Sequence, residues 1–303
     1  MAERQVREME KERTEKKNSF LGGMATMGLA LVLVKIIGAV YKIPIGRYLE
    51  GNYASFNNAY DIYTVLLNIS IAGFPVALSK MVAANHALGR ERQVRKIFRL
   101  ALAIFFTLGL VSFLIMFFGA DALAARMNDT HAAQAIRYLA PAVLFVGCVG
   151  SFRGFFQGHS NMRPSAVSQV IEALGKLVIG LPLAMLMVHL GQAEQAPAYA
   201  ILGVTLGSAL ALLYMLVCYA RRPLYKDLSH EGVDGAGKIL KDLLVIAIPI
   251  TLTASAVSVI NTIDAAVVQG QLQKALGMAE RPPGPSTPTT AGPRTSTTCP
   301  PPS

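Results

Sequence analysis

Long apolar runs decide what this chain can fold into. They lie at residues 20–43, 57–79, 100–119, 133–150, 165–190, 197–220 and 241–262. A helix needs roughly 20 mostly apolar residues to cross the hydrocarbon of a bilayer, so each run reads as a membrane span. The runs are too long, and too rich in Leu, Ala, Gly and Met, to be the alternating strands of a membrane barrel. Hydrophobic residues make up 53% of the chain and charged residues only 15%, which excludes an ordinary soluble globule. The predicted fold class is an all-α polytopic membrane protein.

The distribution of charge sets the expected topology. Basic residues gather at the start (Arg4, Arg7, Lys11, Arg13, Lys16, Lys17), after the second run (Lys80, Arg90, Arg92, Arg95, Lys96, Arg99), at Arg153 and Arg163, and between 221 and 241. The loops between these clusters hold only Arg47 and Arg126. This alternation predicts a cytoplasmic N-terminus in the cell membrane. It also accounts for the net charge of +10 without nucleic acid. The first run follows a charged opening and lacks a small-residue cleavage site, so it reads as a retained span and not as a signal peptide.

Between the runs, "PIGRYLEGNYASF" reads as an external loop with a helix-stopping Pro44, and 80–99 as a surface helix facing anionic lipid. The expected organisation is a charged cytoplasmic tail at 1–19, a six-helix bundle at 20–220, a cytoplasmic linker at 221–240 and a further helix at 241–276. From Glu280 the chain holds eight of its sixteen prolines, so 277–303 reads as a disordered Pro/Thr-rich tail, either an external stalk or the product of a shifted reading frame.

Charges inside a bilayer are costly and usually face a bundle interior or an aqueous cavity. Here polar residues recur at helical spacing. Lys35, Gly38, Lys42 and Gly46 share one face of the first span, and Asn57, Asp61, Thr64 and Asn68 one face of the second. Ser165, Ser168, Gln169, Glu172 and Lys176 form a third stripe, and Thr251, Ser255, Ser258 and Thr262 a fourth. Each has a bland alternative: Lys42 and Arg47 can snorkel to headgroups, Glu172 and Lys176 can neutralise one another at i, i+4, and hydroxyls often only bond helix to helix. Lys35 and Asp61 lie deeper and have no opposite charge nearby in sequence. In "FRGFFQGHSNMRPSAVSQVIE", Gly150, Gly154 and Gly158 make a small-residue face for close helix approach, flanked by Arg153 and Gln157. The segment reads as a helix end, a tight turn and the start of the next helix at a cytoplasmic mouth.

No enzyme is predicted, because no nucleophile–base constellation or phosphate loop appears. No cofactor or metal is expected either. Cys148, Cys218 and Cys299 lack metal or redox spacing, and His86, His131, His159, His189 and His230 lie at span ends or in loops without ligand spacing.

Three stretches carry a resemblance: "SFLGGMATMGLALVLVKIIGAVYKIPIGRYL", "YDIYTVLLNISIAGFPVALSKMVA" and "FRGFFQGHSNMRPSAVSQVIEALGKLVIG". Together they resemble the polysaccharide-biosynthesis, stage V sporulation protein B-like branch of the multidrug/oligosaccharidyl-lipid/polysaccharide (MOP) exporter superfamily. "IPITLTASAVSVINTIDAAVVQGQLQ" is similar to the helix that opens that family's second bundle, so coverage runs from about Ser19 to Leu276. The resemblance implies one six-helix transporter bundle plus the first helix of a second. It also implies flipping of undecaprenyl-pyrophosphate-linked sugars by alternating access within membrane lipids. Lys35, Lys42, Arg47 and Arg153 match its basic positions and become pyrophosphate-binding candidates. Asn57, Asp61, Asn68, Gln157, Glu172 and Lys176 become candidates for cavity polarity or for coupling to protons or sodium. At 42 and 176, relatives often carry Arg; Lys keeps the charge and loses the planar fork. Most of a second bundle is not in the sequence, which keeps open a half-bundle that assembles with a partner and moves nothing. A multidrug exporter is the remaining reading, and the basic charges on the first span argue against it.

Overall fold

A computed structural model describes residues 2–49, 53–71, 73–126, 132–222, 232–253 and 256. They belong to one compact unit, Met1–Ala256. Among the described residues every regular element is helical. In order they are α1 (Ala2–Tyr48), α2 (Tyr53–Ile71), α3 (Phe74–Ala87), α4 (Glu91–Phe118), α5 (Ala120–Arg126) and α6 (Ala132–Gly158). Then come α7 (Arg163–Gly175), a π-helical turn (Lys176–Gly180), α8 (Leu181–His189), a short 3-10 turn (Ala193–Gln195) and α9 (Ala196–Ala220). A last helix, α10, covers 236–253.

Among the described residues, five segments are long and apolar enough to cross a membrane: Gly22–Tyr48, Glu91–Phe118, Ala132–Gly158, Arg163–His189 and Ala193–Ala220. The run expected as the second span is divided between α2 and α3. It looks continuous in sequence, but Gly73 and Pro75 interrupt it: α3 starts afresh with proline in its first turn, where the missing N–H costs no hydrogen bond.

Two local expectations are corrected, and one open reading is narrowed. Pro44 does not end α1, which runs on to Tyr48; a membrane helix tolerates proline within its length. The surface helix expected at 80–99 does not exist as a unit, because its first half continues α3 and its second half forms the opening turns of α4. The charged opening is helical from Ala2 onward and continues into the first span. The expected disordered tail at 277–303, residues 223–231 of the linker, and Ser255, Ser258 and Thr262 lie outside the described residues.

α6 is the central post, with 72% of its span buried, against 6% for α1. Its first half joins an apolar core with Ile45, Phe56, Tyr63, Met116 and Ile201. Its second half joins another core with Leu78, Ile97, Phe98, Phe105 and Met215. The glycine face of α6 meets α3. A Cβ on Gly154 would sit 2.7 Å from the Pro75 carbonyl oxygen, and one on Gly158 2.5 Å from Val82 Cβ, so only glycine permits this approach. α10 closes onto the same unit. Ile239, Leu243 and Ala247 enter the second core, and the Gly73 N–H donates to Thr251 Oγ1 at 3.1 Å.

Candidate functional site

The polar stripes converge on two places. The first is a cavity of ≈ 220 Å³ between α1, α2, the π turn and α9. Lys42, Asn57, Tyr60 and Lys176 line it, with Tyr41, Phe56 and Gly38 beside them. Lys176 Nζ donates to Tyr60 Oη at 3.4 Å and stands 5.7 Å from the centre of that ring. The π turn begins at Lys176. Pro182 has no N–H to give the Val178 carbonyl, and the Leu181 N–H reaches back to the Lys176 carbonyl oxygen. Such wide turns re-aim the side chains they carry and recur at functional sites.

The second place joins α6 to α7. Arg153 Nε donates to Ser168 Oγ at 2.9 Å, and Arg153 Nη2 donates to Glu172 Oε2 at 3.1 Å. Both charged side chains are largely covered, 16% and 17% exposed. The i, i+4 alternative, Glu172 with Lys176, is thus replaced by a long-range pair. Sequence spacing left that pairing open, and the crossing of α6 and α7 brings Arg153 to Glu172. Gln157 is half-buried one turn further along α6.

Outside these two places, Lys35, Arg47, Asp61 and Asn68 are dispersed. Lys35, Lys42 and Arg47 are exposed on α1, as are Asn57 and Asp61 on α2, while Asn68 is half-buried. Lys35 lies midway along Gly22–Tyr48, about 20 Å of helix from either end, far beyond the reach of a snorkelling lysine. An Asp or Lys facing lipid at such depth costs about 2.5–3.5 kcal/mol. The face formed by Lys35, Gly38, Lys42 and Gly46 is exposed throughout.

Sequence reasoning missed one constellation. His86 at the end of α3, Glu91 at the start of α4 and His159 just beyond α6 come together, with ligand-type atoms all within 4.8 Å of one another. Burial holds the His159 imidazole below its ordinary value; the Phe155 carbonyl opposes that shift, His86 adds to it, and Glu91 opposes it. No spacing rule could have found a set whose third member lies 68 residues from the second.

Five membrane-length helices among the described residues, packed around α6 with a polar face and a basic cavity, define a multi-pass α-helical membrane protein. The solved structures it resembles bear this out. A MATE in the straight conformation is 17% identical with a TM-score of 0.62, covering 80% of this chain and 54% of that one. A MOP superfamily transporter from Pyrococcus furiosus is 17% identical with a TM-score of 0.61, covering 78% and 53%. The chain belongs to the polysaccharide biosynthesis protein family, whose model matches residues 20–275. Among curated relatives, the lipid II flippase MurJ of Bacillus subtilis is 28% identical over 82% of this chain and 48% of its own length. Stage V sporulation protein B of the same organism is 26% identical over 78% and 46%. The chain spans about half the length of the curated relatives it matches.

Proposed function

We propose that this chain forms one wall of the translocation path of a flippase for undecaprenyl-pyrophosphate-linked sugars, with its N-terminus in the cytoplasm. The observation that supports the reading best is the exposed Lys35–Lys42 face at mid-span. Lipid would penalise it, so it borders water or the opposite wall of a cavity. Two basic positions seven residues apart suit a diphosphate, whose charges need compensation as the headgroup leaves water.

In this reading Lys42 and Lys176 grip the pyrophosphate at the cavity, with Tyr60 holding the buried ammonium in place. Asn57, Asp61 and Asn68 hydrate the sugars along α2, while the prenyl chain stays among the exposed apolar side chains of α1, such as Leu29, Val32 and Ile36. Arg47 receives the headgroup at the outer end. Arg153 is held by Glu172 and becomes available only when a competing phosphate or a proton takes one partner. Glu172 and Asp61 are the groups through which protons or sodium would couple. Translocation then follows from rocking of this bundle against a second one.

The test is photocrosslinking in nanodiscs with a radiolabelled undecaprenyl-pyrophosphate disaccharide. A photoreactive residue replacing Asn57 captures the label, and capture falls when Lys42 is changed to Glu. One replacing Val111, exposed on α4, captures little. Equal capture at both positions, or capture indifferent to Lys42→Glu, overturns the assignment.

A further inference from the structure

We propose that His86, Glu91 and His159 form a binding site for a borderline divalent transition-metal ion such as Zn²⁺, clasping the α3–α4 turn to the end of α6. The site stands apart from the polar cavity and from every residue assigned to substrate.

Its local construction is specific. α3 ends at Ala87, and Gly89 turns the chain with a φ of +69°, a left-handed conformation that favours glycine. The Gly89 N–H donates to the His86 carbonyl oxygen at 2.9 Å and the Arg90 N–H to that of Asn85 at 3.0 Å. This tight reversal puts His86 and Glu91 on the same side. At the end of α6, Ser160 takes a φ of +59° and the Asn161 N–H returns to the Phe156 carbonyl oxygen at 2.9 Å, which fixes His159 opposite them.

The donor set is that of a metal centre. Glu91 offers one carboxylate oxygen to each histidine: Oε1 meets His86 Nδ1, and Oε2 lies 3.8 Å from His159 Nε2. Two ligands bonded to one Zn²⁺ at about 2.0–2.2 Å stand roughly 3–4 Å apart, so a small opening of the His86–Glu91 contact seats the ion. His159 is oriented for the role, because its Nδ1–H donates to the Phe155 carbonyl oxygen at 2.9 Å and leaves Nε2 with the lone pair facing the cluster. That is the outer-shell bond metal-bound histidines commonly make. On binding, the His86 proton moves from Nδ1 to Nε2 and no redox step is involved. The Glu91 and His159 side chains are only 6% and 2% exposed, so the ion has a dry, preformed base, while His86 at 35% opens towards solvent. His159 also borders clefts of ≈ 360 and ≈ 770 Å³ that admit a water as further ligand. Two imidazoles and one carboxylate select Zn²⁺, Co²⁺ or Ni²⁺ over Mg²⁺ and Ca²⁺. An ion here would stiffen the end of α6 about 9 Å of helix from Arg153.

The experiment uses the full chain in detergent, with affinity tag removed and metal stripped, titrated with Zn²⁺ alone and read by calorimetry and thermal melting. One equivalent binds and raises the melting temperature; Co²⁺ in its place gives the intense visible bands of four- or five-coordination. His86→Ala, at a half-exposed position that folding tolerates, weakens binding by about tenfold or more, as does Glu91→Gln, whereas His189→Ala leaves it unchanged. Binding by His86→Ala and Glu91→Gln as tight as by the wild type overturns the proposal. So does a Co²⁺ spectrum identical to the aquo ion, or a melting temperature that responds to pH and not to metal.

Discussion

Replacing Gly175 by Ala tests the packing that sets the position of Lys176. α7 and the π turn cross α9 main chain to main chain. A Cβ at Gly175 would lie 2.3 Å from Gly207 Cα and 2.9 Å from Gly207 N, and one at Gly203 would lie 2.3 Å from Gly180 Cα. Ordinary carbon contacts begin near 3.4 Å, so the helices must part by about 1 Å, and no rotamer change relieves main-chain atoms. Overpacking of this kind costs about 1–3 kcal/mol, and the rigid contact places Gly175→Ala at the upper end. For a chain of this size that lowers the melting temperature by roughly 6 °C or more. Displacing α7 by that amount also lengthens the Lys176–Tyr60 bond, already 3.4 Å, beyond hydrogen-bonding range. Thermal melting in detergent is the assay, with Gly28→Ala as control because nothing lies within 4 Å of a Cβ there. A Gly175→Ala protein that melts like the control refutes the close crossing.

Other outcomes follow from the same geometry. Glu172→Ala leaves the Arg153 guanidinium covered without its carboxylate and should lower stability by about 3 kcal/mol, while Arg153→Ala/Glu172→Ala recovers most of the loss in a double-mutant cycle read by melting. Gly73→Ala puts a Cβ 2.4 Å from both the Ala247 carbonyl oxygen and Thr251 Oγ1. It should therefore loosen α10, seen as faster amide exchange over 236–253 with little change in α6. Asp234 anchors the start of α10: Gln93 Nε2 donates to its carboxylate at 3.0 Å, and Lys96 Nζ to its carbonyl oxygen at 2.6 Å. The hydrogen bond from Lys238, helped by the charges of Lys238, Arg90 and Lys96, holds the Asp234 carboxyl below its usual range. Its contribution is therefore complete above the ordinary carboxylate pKa of about 3.9 and is lost as pH falls through the lower folded value. Protection over 236–253, taken relative to the intrinsic exchange rate at each pH, should be unchanged from pH 7 to 5 and fall below about pH 4, and Asp234→Asn should flatten that fall.

The spans were legible because bilayer thickness imposes one length on any helix that crosses, and runs such as 197–220 have no other use. The glycine face of α6 was legible for a similar reason, since its spacing is a property of one helix; its partner, α3, was not. The break at Gly73 was hidden because apolar residues flank it, and Pro75 reads as a helix start only once the break is known. The i, i+4 pairing of Glu172 with Lys176 was only one open reading, and local rules cannot see α6 crossing α7 to bring Arg153 to Glu172. Tyr60, which holds Lys176, gave no signal at all: its partner is 116 residues away in the chain. Lys42, Asn57 and Lys176 do meet at one cavity, whereas Lys35 and Arg47 share only their helix with it.

Translocation measured with Lys35→Ala tests the transport reading most directly. Vesicles containing the wild-type bundle joined to the second bundle of a full-length relative, with a lipid-linked pyrophosphoryl disaccharide in the inner leaflet, should expose the sugar to an external lectin faster than protein-free vesicles. Lys35→Ala, inserted to the same level, should fall to the protein-free rate. Exposure by Lys35→Ala at the wild-type rate, or by the wild type no faster than without protein, would contradict the account.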